Sequence, residues 1–67
     1  MEYLLRIYVR PNAGGNNLTY KWIRYEIDIY DSIEKVGKRL ASLPTSDYGH
    51  EIYFKENEEW NLLETTL

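Results

Sequence analysis

The chain has no cysteine, a single histidine, two prolines and one phenylalanine in 67 residues. Without thiols it has neither a disulfide framework nor a thiolate metal site, so its stability must come from packing or from a partner. Met1 leads into Glu2 and an alternating segment, with no basic stretch running into an apolar one. No apolar run approaches the roughly 20 residues that span a bilayer. A cytoplasmic, unexported protein is therefore expected. The sequence also lacks catalytic, metal and cofactor signatures. Gly14-Gly15 has no Gly-x-Gly-x-x-Gly context and no following Lys-Ser/Thr, so it reads as turn chemistry. Ser46, Asp47 and His50 form a Ser-Asp-x-x-His run, but a triad needs a buried carboxylate and an oxyanion hole that a short surface loop does not supply. No enzyme is expected, and no cofactor or metal.

What the chain does contain is aromatic and charged. Seven Tyr, two Trp and one Phe supply large buried areas, and an apolar fraction of 43% lies above that of disordered chains. Residues 1–67 make one small domain near the lower size limit for a single core. The net charge of −3 argues against general affinity for nucleic acid. Four basic and three acidic groups fall in residues 1–30, and four basic and eight acidic in residues 31–67. One end is mildly basic and the other clearly acidic, and either can steer a partner.

Tyr3 to Val9 alternates with period two, apolar at Tyr3, Leu5, Ile7 and Val9, which predicts a half-buried strand. Residues 11–17 read as a hairpin loop. From Leu18 the alternation resumes, with Ile23, Tyr25, Ile27 and Ile29 on one face. Making the two apolar faces coincide sets odd residues opposite odd ones. Within that parity the register stays open; pairing Ile7 with Tyr25, Arg6 with Glu26 and Tyr8 with Arg24 is preferred, because a slip of two residues sets Arg6 against Arg24, a like-charge pair. Asp31 is expected to cap a helix whose stripe is Ile33, Val36, Gly37, Leu40 and Ala41, with Glu34, Lys35, Lys38 and Arg39 turned to solvent. Pro44 ends it, and residues 45–49 read as a loop. A second hairpin follows, Glu51 to Lys55 and Trp60 to Leu63 or Thr65. Its turn is read as three residues, pairing Phe54 with Trp60, rather than two, pairing Phe54 with Asn61.

The order β-β-α-β-β predicts an α+β domain, one helix on one face of a four-stranded, mostly antiparallel sheet. Two arrangements satisfy it. In a β-grasp-like sheet the first and last strands run parallel at the centre, as in small immunoglobulin-binding bacterial domains; alternatively, the hairpins join in a fully antiparallel sheet. In both, Tyr3, Leu5, Ile7, Val9, Ile23, Tyr25, Ile27 and Ile29 pack beneath the helix and the other face stays open.

That open face is expected to gather Arg6, Tyr8, Arg10, Tyr20, Trp22 and Arg24. These residue types dominate binding hot spots because each combines contact area with directional hydrogen bonds. Three readings compete: a protein-binding surface, aromatic and arginine stacking that serves only the sheet, and a face covered by a second copy in a homo-oligomer. A nucleic-acid-binding sheet using the same Arg/Tyr/Trp face is the alternative function. Glu56, Glu58 and Glu59 form an acidic hairpin suited to docking on a basic partner.

A very short, acidic, cysteine-free, aromatic-rich chain with no active site resembles, in general type, the small proteins with which phages and other mobile elements block host machinery. The resemblance implies a non-catalytic inhibitor. Its partner would be a host protein such as a defence or nucleic-acid-handling enzyme.

Overall fold

The computed structural model describes residues 1–9, 23–43 and 47–67. Its elements are β1 (Tyr3–Val9), β2 (Ile23–Tyr30), α1 (Ile33–Ala41), β3 (Tyr48–Glu56) and β4 (Glu59–Thr65). They form one sheet in the order β2-β1-β3-β4, every neighbouring pair antiparallel, with a single helix among the described residues. The domain is thus α+β in the fully antiparallel arrangement. The two hairpins meet along β1 and β3, and the β-grasp alternative, which needs parallel central strands, is not realised. Among the described residues no helix is long and apolar enough to cross a membrane.

The core lies between α1 and the two central strands. Leu5, Ile7, Val36 and Ile52 are buried, with Tyr3, Tyr30, Leu40, Leu43 and Tyr48 packed against them. Leu5 stands opposite Ile52 in the β1–β3 ladder, so the inward residues of β1 are odd-numbered and those of β3 even-numbered. Strand β1 falls where its alternation predicts. Strand β3 begins earlier than the sequence indicates, because Tyr48 and Gly49 pair with Val9 and Tyr8 instead of looping.

Strand β2 departs from its expected register. Tyr8 does face Arg24, but a bulge between Ile7 and Tyr8 leaves Tyr25 as the extra residue, so that Ile7 faces Glu26 and Arg6 faces Ile27. A one-residue slip moves every later side chain to the other face. Glu26 and Tyr30 therefore turn toward the helix, and Ile27 and Ile29 turn away from it. Tyr25 packs edge-on to Tyr48, ring centroids 5.1 Å apart. Ile23, Tyr25, Ile27 and Ile29 are each about half exposed, so the four do not form the expected floor beneath the helix.

The helix differs from expectation in its cap, in the exposure of its stripe and in one charged residue. Its N-cap is Ser32, whose hydroxyl accepts from the Lys35 amide at 3.3 Å. Asp31, the expected cap, instead pairs with Lys35 at 2.9 Å across one turn, which holds its carboxyl below the usual range. Val36 is buried and Leu40 half-buried, while Ile33, Gly37 and Ala41 are exposed. Arg39 is not a solvent residue. Its Nε and one terminal nitrogen donate to the two Glu26 carboxylate oxygens, both at 2.8 Å. This bidentate pair is the geometry in which arginine binds a carboxylate most strongly, and it ties α1 to the inward face of β2.

Two predictions follow from this packing. A chain of this size has a total stability of roughly 3–10 kcal/mol, and Ile7→Ala should remove about 3 kcal/mol of it, because the side chain is wholly buried and its surroundings relax only partly around the space left behind. Ile29→Ala should cost less than about 1 kcal/mol, being half exposed. Equal losses in urea unfolding would place the core on the wrong face. The second concerns pH. Hydrogen bonding to Arg39 lowers the Glu26 carboxyl below its ordinary value of 4.5, so its stabilisation is complete above that pH and is lost as the pH falls through the lowered value. Glu26→Gln should flatten the acid limb of the stability–pH curve, and an unchanged limb would contradict the pairing.

Candidate binding face

With β2 slipped, the face away from the helix has a composition that the strands do not announce singly. The ladders align Ile29 with Leu4, Leu4 with Tyr53 and Tyr53 with Leu62. One apolar row thus crosses all four strands, about 14 Å from end to end at the usual strand spacing. Ile29 and Leu62 are 52% and 53% exposed, and the central pair is half-buried. On one side of this row lie Ile27, Arg6, Glu51 and Thr65, again one per strand. On the other side Glu2, Lys55 and Trp60 continue the pattern: the Lys55 amide bonds to the Glu2 carbonyl, and Lys55 pairs with Trp60 across β3 and β4.

The charges on this face are paired, but loosely. Arg6 Nε is 3.7 Å from a Glu51 oxygen, and Lys55 Nζ is 3.8 Å from Glu2. Both distances exceed a hydrogen bond, and among the described residues Arg6 Nε is buried without an acceptor. The Tyr8 hydroxyl donates to Glu51 at 2.8 Å. Burial, and then this bond to a carboxylate, raises the Tyr8 pKa; burial and the same carboxylate raise that of Tyr53. Two cations sit over rings, Arg6 over Tyr8 and Lys55 over Trp60, each 5.6 Å from the centroid.

Of the six residues expected on the open face, Arg6, Tyr8 and Arg24 share it, Arg24 lying opposite Tyr8. Arg10, Tyr20 and Trp22 lie outside the described residues. The acidic hairpin is present: Glu56 faces Glu59 across the strands, and Glu56, Glu58 and Glu59 are all exposed. Its turn has two residues, not three. Asn57 and Glu58 both adopt positive φ, 52° and 65°, the signature of the tight turn that matches strand twist, and Phe54 therefore faces Asn61. His50 joins no catalytic constellation in the described residues. Its Nε2 lies 2.7 Å from Glu64 on β4, and its backbone carbonyl and amide bond to Thr66, closing the chain end onto β3.

Parity alone puts Leu4 beside Arg6 and Tyr8 on this face; Ile27, Ile29, Glu51, Tyr53, Lys55, Trp60 and Leu62 were not expected there. Glu51, Tyr53 and Lys55 share one parity of β3, which was a usable signal. The isoleucines were not recoverable, since their parity suits the core. No family model, curated protein or solved structure matches the chain.

The turn yields its own prediction. A non-glycine residue in the left-handed region costs about 1 kcal/mol, so Glu58→Gly should stabilise the hairpin by roughly 0.5–1 kcal/mol in thermal or urea unfolding. A loss of stability would mean that the turn is of another type.

Proposed function

We propose that the chain is a non-catalytic protein-binding module that occludes a functional site on a partner through the open face of its sheet. Its more particular form is a small inhibitor of the phage or mobile-element type, acting in the cytoplasm on a host defence or nucleic-acid-handling protein. The observation that carries the reading is the row Ile29–Leu4–Tyr53–Leu62, aliphatic and aromatic side chains half exposed at both ends and half-buried at the centre, crossing the whole sheet. Removing such surface from water is worth about 25 cal/mol per Å², and contiguous apolar patches mark interaction sites. Arg6, Tyr8 and Trp60 add the side-chain types that anchor hot spots. The acidic hairpin then steers: Glu56, Glu58 and Glu59 project at one end of the sheet and favour approach to a basic surface.

The same face serves nucleic acid less well. Glu51 and Glu2 stand beside Arg6 and Lys55, so little positive charge remains to release counterions from phosphate. Ring stacking by Tyr8, Tyr53 and Trp60 is the feature that alternative would use.

Capture of one abundant protein by the tagged chain from host-type lysate, followed by kinetics on the purified pair, tests the proposal. Trp60→Ala combined with Leu62→Ala should weaken the complex by about 2 kcal/mol, mainly through faster dissociation. Glu58→Lys with Glu59→Lys should slow association at low salt and leave dissociation nearly unchanged. A complex indifferent to both face substitutions would overturn the assignment of the surface. Salt-sensitive binding of single-stranded oligonucleotides would favour the alternative.

A further inference from the structure

The four charges around the centre of the open face form a checkerboard. Across the apolar pair Leu4–Tyr53, one side presents Glu2 on β1 and Lys55 on β3, and the other presents Arg6 on β1 and Glu51 on β3. Like charges occupy the diagonals. Such a pattern has a geometric consequence: it is complementary to itself. A two-fold axis in the plane of the interface, passing between Leu4 and Tyr53 along the strands, sets Arg6 over Glu51 of a second copy and Glu2 over its Lys55. The same axis run across the strands sets Arg6 over Glu2 and Glu51 over Lys55. Either way every charge meets its opposite, and Leu4 and Tyr53 meet the same apolar pair of the second copy. Both orientations keep the strands of the two sheets nearly aligned, the usual geometry of stacked sheets.

We propose that two copies of this chain associate face to face through the open sheet, in an isologous dimer centred on Leu4 and Tyr53. The intramolecular ion pairs on this face are long, 3.7 and 3.8 Å, so the local pairing leaves the charge pattern of the face only partly neutralised toward a second copy. Three rows across four strands cover roughly 400 Å² of flat footprint, about half of what each partner contributes to a standard interface. The dimer is accordingly weak. A tighter partner displaces the second copy. The inference concerns the isolated chain and stands apart from the inhibitor reading.

Sedimentation equilibrium of the full chain over a range of about 10 µM to 1 mM tests it. The mass should rise from 8.0 kDa toward that of a dimer, and added salt should lower the association. Leu62→Glu places a charge at the end of the apolar row. Lys55→Glu sets like charges over one another about either axis. Each should weaken dimerisation by about tenfold or more, with circular dichroism confirming that the half-exposed positions leave the fold intact. A monomer throughout the range, or a dimer indifferent to both substitutions, overturns the proposal. Capture of a foreign protein by a chain that stays monomeric would remove this inference and leave the inhibitor reading standing; a salt-sensitive dimer that captures nothing would do the reverse.

Discussion

The β1–β3 ladder is the interaction on which the rest of this domain depends. Each hairpin alone is two strands without a buried face, and such units are marginal in water. Joining them sets Leu5 beside Ile52 under the helix and Leu4 beside Tyr53 on the outside, so one register creates both the core and the exposed apolar row. The same ladder places Arg6 against Glu51. These partners are more than 40 positions apart in sequence, and the contact is paid in loop-closure entropy before it returns any burial.

The second constraint is the size of the helix. Nine residues present little more than Val36 and Leu40 to the sheet, too narrow a stripe to roof four strands. The helix therefore covers the centre and one flank, where Arg39 reaches down to Glu26 and makes that strand's inward face partly polar. The bulge at Tyr25 lets β2 satisfy this pairing while keeping Tyr8 opposite Arg24. Its cost is that Ile27 and Ile29 go to water. Among the described residues they stay about half exposed, and that unspent apolar surface is the strongest physical argument for an occupant of the open face.

The electrostatics of that face refine what the occupant must be. Cations and carboxylates alternate at its centre, so the surface has little net field and selects by local pairing, whereas the hairpin tip concentrates three carboxylates. Long-range attraction and short-range recognition are thus carried by different parts of the molecule. A partner meets the acidic tip electrostatically and the sheet face by shape and desolvation. Exposed ion pairs of this kind contribute little to folding, which fits surfaces kept for contact rather than for stability.

Much of the architecture was legible in the chain itself. The period of β1, the order of the elements, the single helix and the presence of a second hairpin follow from local patterning, because strand and helix periods are short-range properties. The open face was partly legible: Arg6, Tyr8 and Arg24 were placed by parity. What only the tertiary structure decided was the parity of β2. Its isoleucine row looks like core by any local criterion, and one bulge, favoured by a carboxylate–guanidinium pair 13 residues apart, reverses it. The turn at Asn57–Glu58 was settled similarly, since twist matching in a two-residue hairpin outweighed the apolar pairing of Phe54 with Trp60. The apolar row and the charge checkerboard belong to no segment of the sequence. They arise where four strands meet, because a row across a sheet is written by register alone.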